Sequence, residues 1–528
     1  MSRLEQICEH LKPESTDKDF RLWCTTYPSP IFPVAVLQNG IKMTIEPPKG
    51  LRANLIGSYS NAPLSEEGYL ESCNKSGPFR KLCFALCVFH ALLQERRLFG
   101  PLGWNIAYGF NESDLLISMQ QLRMFLDENE MIPFKALKYC IGECNYGGRV
   151  TDGKDRKTLN CILDRFFCEG ILETGSNLSS SGAYRMPGAR THHEFLQVIE
   201  DLPLVAGPEI FGFHENANIT KSSKETNDLL VAILLTEGGG SSSGDTESID
   251  NQISTTAQDI LLKLPAAFDI EAAQIKYPVT WNESMNTVLC QELVKFNNLT
   301  NLIKFSLNSV LKAVKGIVVM SSALEKLGSS LIYGSIPLMW KPKSYPSFKP
   351  LAGYIQDLLS RLDFMHKWVD DRPPPTYWIS AFFFQHAFMT ASKQNYARSQ
   401  TIPIDAIGFQ FEMLGASECT RPPNVGVYCF GLFFEGARWC RVQSTLAESE
   451  PKILYSLSPL LWFQPKRDSE IQHPPSYTCP VYKTADRRGI LATTGHSTNF
   501  ILDILVPSSS PESHWVQRGV ALLSQLDD

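Results

Sequence analysis

Residues 283–316 read ESMNTVLCQELVKFNNLTNLIKFSLNSVLKAVKG, and their spacing decides the second half of the chain. Leu289, Leu293, Phe296, Ile303, Leu307, Val310, Val314 and Ile317 recur in steps close to a 3.5 period. That period places them on one face of a helix. From Glu283 to Leu327 there is no proline and one glycine, Gly316, so the pattern predicts a single helix over that whole span. At 1.5 Å per residue it would reach about 60 Å. Asn282 is the expected N-cap, with Glu283 as a first-turn acid. The apolar seam is wider than a strict a/d stripe, which favours a helix lying across its own domain over a free coiled-coil dimer.

Working outward, a second helix is expected over Leu351–Val369, stopped by Pro373-Pro374-Pro375. Beyond Pro403 the pattern changes to short strands. Val425–Phe434, the turn Glu435-Gly436 and Ala437–Val442 read as a β-hairpin. Further strands are expected at Leu460–Phe463, Tyr477–Tyr482 and Asn499–Val506, together suggesting a small terminal barrel. On the N-terminal side, Thr236–Gln252 is rich in Gly and Ser and predicts a flexible loop. Before it the sequence reads as mostly helical. Gly77–Leu98 carries a wide apolar stripe through Leu82, Cys83, Leu86, Cys87, Phe89 and Leu93. Asn111-Glu-Ser-Asp opens another helix with acids in its first turn. Phe20–Thr26 reads as a buried strand ended by Pro28 and Pro30. The fold class is therefore α+β.

Composition excludes several classes. The 528 residues are 43% hydrophobic and 20% charged, in the range of a globular protein rather than a disordered one. The net charge is −6, and no Lys/Arg block is long enough for a non-specific nucleic-acid binder. The N-terminus lacks a secretory apolar core, and no uninterrupted apolar run approaches the roughly 18 residues of a membrane span. A soluble intracellular protein is expected. The fourteen cysteines include no C-x-x-C pair, so reduced thiols packed as small hydrophobes are expected, rather than a disulfide framework. Cys83/Cys87 and Cys140/Cys144 are spaced i,i+4, which leaves a zinc site open as the lesser reading.

Motifs of catalysis are incomplete. Gly148–Lys154 fits G-x-x-x-x-G-K, but Asp155 follows where a P-loop needs Ser or Thr for magnesium, and a carboxylate there would repel phosphates. A turn with a packing role is the better reading. His193-Glu194 begins like a zinc-protease helix, yet position 197 is Gln, so His192 and His193 read as surface residues. His496-Ser497 near Cys479 lacks an orienting third group. Lys483, Arg487 and Arg488 could meet an anion, but Asp486 among them favours a solvated turn. No catalytic, nucleotide-binding or metal residue is assigned.

Taken in order, longer blocks carry a resemblance. They are Glu46-Pro-Pro-Lys-Gly-Leu-Arg-Ala-Asn, Gln94-Glu-Arg-Arg-Leu-Phe-Gly-Pro-Leu-Gly-Trp-Asn, Gly142-Glu-Cys-Asn-Tyr-Gly-Gly-Arg-Val-Thr-Asp and Phe211-Gly-Phe-His-Glu-Asn-Ala. Gln394-Asn-Tyr-Ala-Arg, Cys479-Pro-Val-Tyr-Lys-Thr and Thr493-Thr-Gly-His-Ser-Thr-Asn-Phe follow. From about Phe20 onward the sequence resembles the C-terminal portion of an axonemal dynein heavy chain of the inner-arm type. The resemblance implies a partial AAA+ large-domain remnant, the tail of the sixth module, over residues 1–60, with Phe20–Thr26 as its sensor strand. It implies a helical AAA+ lid over 79–217 and the C-terminal domain over 224–528, with 236–252 as a loop. Two departures are Gly153-Lys154 where the family usually has an aromatic, and Cys24 where Leu is common.

The implied role is non-catalytic: to complete and brace the AAA+ ring of a minus-end-directed microtubule motor that drives ciliary or flagellar beating. No cofactor is expected in this chain; ATP and magnesium would bind upstream in the parent family. Implied partners are the remaining AAA+ modules, intermediate and light chains, and microtubules through a stalk absent from these residues; nucleic acid and membrane are not expected. The implied location is the cytoplasm, cytoskeleton and axoneme. Arg52 falls near where a ring arginine would lie, and an interface salt bridge is favoured over a role at a neighbouring nucleotide. The alternative is a stand-alone interaction or scaffold protein reusing the lid and C-terminal domain without motor activity.

Overall fold

The structure, a computed structural model, describes residues 2–11, 16–26, 34–43, 48–237, 246–415, 419–472, 474–489 and 497–527. Residues 1–49 and 50–528 form separate units. Among its described residues the first holds two short helices, α1 (Ser2–His10) and α2 (Val34–Asn39). The expected strand at Phe20–Thr26 is not formed: these residues lie in no helix or strand, and Trp23 is 78% exposed. A strand exists by pairing, and among the described residues none lies beside this segment. Pro28 and Pro30, its expected stops, lie outside the described residues.

The second unit begins with a helical half. Its helices are α3 (Leu51–Ser60), α4 (Ser76–Arg96), α5 (Glu112–Glu128), α6 (Phe134–Tyr139), α7 (Gly153–Phe166) and α8 (His192–Glu200). α4 is the axis: every residue from Leu82 to Leu93 is buried, and α3, α5 and α7 pack around it. With its short extension to Leu102 it is long and apolar enough to cross a membrane, but most of it is inside this core. α5 starts with Asn111 as N-cap and Asp114 reaching back to the Asn111 N–H at 3.0 Å, a capping box. α6 runs on into a π-helical turn over Cys140–Asn145, as the helical reading before Gly148 required.

α9 (Ala217–Glu237) leaves this half and α10 (Thr246–Lys263) follows. The expected Gly/Ser loop is helical at both ends, over residues 236–237 and 246–252, and 238–245 lie outside the described residues. Next come α11 (Ile270–Lys276), α12 (Ser284–Val314), α13 (Ser322–Ile332) and α14 (Leu351–Asp370). The stripe on α12 is buried as predicted, with Leu289, Leu293, Phe296, Ile303 and Leu307 at 0% exposure against α10, α11, α13 and α15 (Gln385–Gln400). The burial of that face within one polypeptide argues against the coiled-coil alternative.

Two details of the long helix differ. Its N-cap is Glu283, whose carboxylate accepts the Met285 N–H at 3.0 Å, and not Asn282. It ends at Val314 instead of continuing to Leu327. Gly316 takes φ +71, and its N–H and that of Ile317 close on Ala313 and Lys312 carbonyls at 2.9 Å. Glycine adopts this left-handed stop without strain, and the exposed β-branched Ile317, Val318 and Val319 beyond it do not favour helix.

Among the described residues eleven strands follow α14: β1 (Thr376–Trp378), β2 (Ile407–Met413), β3 (Val427–Phe430), β4 (Phe433–Glu435), β5 (Arg438–Cys440), β6 (Thr445–Ala447), β7 (Tyr455–Leu457), β8 (Leu461–Arg467), β9 (Ser476–Tyr482), β10 (Phe500–Pro507) and β11 (Ala521–Leu523), the last preceded by α16 (Glu512–Arg518). They form a four-stranded sheet in the order β1-β3-β8-β2, a five-stranded sheet β10-β9-β11-β4-β7, and the ribbon β5-β6. Both large sheets mix parallel and antiparallel pairs. The predicted hairpin around Glu435-Gly436 is not formed. β3 joins the first sheet, β4 the second, and β5 pairs with β6. The change of sheet occurs at Gly431, with φ +90 and room for no side chain: a Cβ there would lie 2.4 Å from the Trp378 ring. The apolar core of residues 253–522 spans helices and sheets together, and the helical half has a core of its own over residues 51–217.

Candidate functional site at the seam of the two halves

A set of buried polar residues lies where the helical half meets the C-terminal half. Arg96 ends α4 fully buried. Its Nη1 donates to the carbonyls of Phe211 and, at 3.1 Å, Gln517, and its Nη2 to Gly103 at 3.2 Å. Its guanidinium also lies 4.2 Å from the Phe213 ring centroid. It thus joins the end of α4, the segment before α9, and α16. Among the described residues no carboxylate pairs with it. Burial, and then the nearby charge of Arg165, hold it down at about 9. The signal for it in sequence is a charge pair, Glu95-Arg96, closing a helix that from Leu82 to Leu93 is apolar but for His90; nothing in the spacing of the pair marks Arg96 as buried.

α16 supplies the opposing face. Gln517 donates to Cys161 O at 3.1 Å and accepts from Arg165 at 3.3 Å. Arg518 donates to Gly212 O at 3.0 Å and pairs with Glu448 at 2.8 Å. Burial alone would raise Glu448, but hydrogen bonds from His514 and Arg518 reverse that and hold it at about 2. The helix ends at Gly519, φ +67, so close to Leu102 O that a Cβ would stand 2.3 Å away. Asn216 extends the seam, donating to Glu450 O and Ile453 O at 2.8 and 2.9 Å and accepting from Lys452 N at 2.8 Å.

The near-motif Gly148–Lys154 lies in this seam. Asp152 is the N-cap of α7, accepting from Lys154 N and Asp155 N at 2.8 and 3.1 Å, so these helix-start N–H groups are already satisfied. Lys154 Nζ pairs with Asp503 on β10 at 2.7 Å. Asp155 turns inward and accepts from Asn105 N and Ile106 N at 2.9 and 3.1 Å. Burial, with the Asp152 carboxylate beside it, pushes Asp155 up to about 7 against those hydrogen bonds. A cavity of about 40 Å³ borders Lys154, Asp155, Lys157, Tyr482 and Arg487. It has room for water but is far smaller than a small-molecule pocket of roughly 300 Å³ or more.

Arg487 corrects the expectation of a solvated turn. It is buried, pairs with Glu435 and donates to Gly519 O at 2.8 Å. Burial works against its charge, yet Glu435 keeps it above its ordinary value. Cys479 is buried on β9 and Ser497 is nearly so, while His496 lies outside the described residues. His192 bonds Tyr59 O at 2.8 Å, and His193 is exposed. Arg52, on α3, is half-buried and its Nη1 lies 3.5 Å from Leu202 O. All fourteen cysteines are free thiols, and among the described residues no cluster of three or more His, Cys, Asp or Glu could hold a metal.

What these groups can do chemically is hold two bodies together. Comparison with known proteins gives that joint its context. Residues 223–524 match the C-terminal domain of the dynein heavy chain, 79–217 its AAA lid domain, and 1–44 its region D6 P-loop domain. The protein belongs to the dynein heavy chain family. It is 52% identical to dynein axonemal heavy chain 3 of Mus musculus, 50% to heavy chain 12 of Rattus norvegicus and 48% to heavy chain 1 of Mus musculus. Each match takes in 100% of this sequence but 13%, 17% and 12% of those relatives respectively.

Proposed function

We propose that this protein is the non-catalytic C-terminal part of an axonemal dynein heavy chain, and that it braces the AAA+ ring of the motor. In this reading residues 1–60 are the end of the sixth large domain, 79–217 its lid and 224–528 the C-terminal domain, whose two sheets form the barrel-like end of the cap. The observation that carries the reading is the seam: Arg96 to Gln517 of α16, Asn105 to Tyr482 and Lys154 to Asp503 tie the lid to the C-terminal half through bonds at least partly buried, as a part that transmits load requires. ATP and magnesium would act upstream in the parent protein. The partners would be the other AAA+ modules, accessory intermediate and light chains, and, through the stalk, microtubules of the axoneme.

Two measurements test this. Titrating ATP with magnesium into the protein should give no binding, because Lys154 is engaged by Asp503 and Asp155 faces inward; micromolar affinity lost on Lys154→Ala would overturn the reading. Arg52 is proposed as a ring-interface contact. In the full heavy chain Arg52→Ala should weaken ring packing more than it slows ATP hydrolysis, and a large loss of rate in an intact ring would reverse that assignment.

A further inference from the structure

Asp152 and Asp155 stand together at the start of α7, both buried, and among the described residues neither is in an ion pair. The Asn105 side-chain amide lies 3.4 Å from Asp152 and donates at 2.9 Å to the Tyr482 hydroxyl on β9. Its backbone N–H is held by Asp155. One residue therefore touches both carboxylates on the helical side and the sheet on the other.

The groups facing Asp155 are few. Asp152 is on its own turn, Tyr108 comes from the loop after Asn105, Arg96 from α4 and Tyr482 from β9. Arg96 is occupied by three carbonyls, Lys154 by Asp503, and Arg487, behind Tyr482, by Glu435. Two buried carboxylates side by side with no cation in contact disfavour the second charge.

We propose that Asp155 makes the lid–sheet seam a proton-responsive latch: protonated, it keeps Asn105 seated on Tyr482, and ionised beside Asp152 it loosens the 103–108 loop and the hold on β9. The proposal concerns the joint itself and stands whether or not the protein serves a motor ring. Asp155 sits at about 7 when buried, against an ordinary 3.8 once opened to water. Opening then releases a proton between those two values, so rising pH favours opening by about tenfold per unit. Above about pH 7 both forms are ionised and the response stops.

Hydrogen exchange read by mass spectrometry on the whole protein tests this, comparing wild type with Asp155→Asn at matched pH so that intrinsic exchange cancels. The wild-type to variant ratio over 103–108 and 476–482 should rise about tenfold from about pH 5.5 to 6.5 and flatten above about 7.5. Over 284–314 it should stay level. A level ratio at the seam, or an equal rise in α12, would overturn the latch. Should Asp155→Asn fail to fold, Tyr482→Phe keeps both carboxylates but cuts the link from Asn105 to β9. The pH response of exchange should then persist at 103–108 and vanish at 476–482; a response retained at 476–482 refutes the proposal.

Discussion

The two halves bury arginine in opposite ways. In the C-terminal half Arg487 meets Glu435, and Arg361 on α14 meets Asp357 at 2.6 Å while also donating to Ser380 O. At the end of the helical half Arg96 meets carbonyls and an aromatic ring, with no carboxylate among the described residues. An ion pair within one domain is a local arrangement of two side chains. Three carbonyls from three separate segments can be satisfied together only when those segments are already docked. The difference separates a bond that stabilises a domain from one that registers two domains against each other.

Substitutions break this contrast most sharply. Arg487→Met leaves Glu435 buried and unpaired, which should cost about 3–5 kcal/mol in chemical denaturation. Adding Glu435→Leu should restore most of it, because replacing both partners of a buried pair by apolar groups is often near neutral. Arg96→Met strands three carbonyls at about 1–3 kcal/mol each, less what water recovers, and no second substitution should rescue it. Equal rescue in both cases would erase the distinction.

The α12 stripe should follow. Leu307→Ala should cost about 2–5 kcal/mol and lower the melting temperature of the protein by several degrees. The protein should remain a monomer by sedimentation, with melting independent of concentration. A dimer dissolved by this substitution would restore the coiled-coil reading that its burial opposes.

A pH comparison is next in size. Glu292 on α12 is the C-terminal counterpart of Asp155, a buried carboxylate holding two consecutive N–H groups, Phe383 and Phe384, at 2.8 and 3.0 Å. Burial raises it from 4.5 to about 7 despite those bonds. Its contribution is therefore present below 4.5 and lost as pH rises through about 7. Glu292→Gln should flatten the fall of stability across that window by up to about 1.4 kcal/mol per pH unit. In the helical half His90, held down at about 4 by burial, works in the opposite sense to Asp155. Glu292→Gln and Asp155→Asn should accordingly each flatten the fall of stability between pH 4.5 and about 7, whereas His90→Gln should steepen it between about 4 and 6.5, and a change of the same sign in all three would refute the assignment.

The smallest effects belong to α12's polar face. Lys315→Ala should stay within about 0.5 kcal/mol of wild type. Lys304 also lies off the stripe, but its Nζ donates to Pro265 O, so Lys304→Ala should reach about 1 kcal/mol. Thermal denaturation resolves the order.

Much of this architecture was legible in residue pattern. The α12 stripe, the Asn111 capping signal, the stop before Pro373 and strands β8, β9 and β10 all follow from periodicity and turn residues. The errors share a cause. Phe20–Thr26 and the hairpin at Glu435-Gly436 have strand-like composition, yet strand identity depends on a partner chosen elsewhere in the sequence. Gly316 is an isolated glycine with helical periodicity on either side of it, so only its left-handed backbone marks it as the stop.

The site was less legible. Asp155 read only as a mismatch in a phosphate loop, and burial shows what it packs against; Arg487 read as part of a solvated turn, which burial reverses. By itself the sequence determined which segments are helical, which faces are apolar and, through its long motifs, which family the protein resembles. Those are properties of neighbouring residues in one segment, and short-range periodicity records them. Only the tertiary structure decided that Arg96, Asn105, Asp155 and α16 meet at one seam. They lie up to several hundred positions apart, and the chemistry of each depends on being taken out of water beside the others.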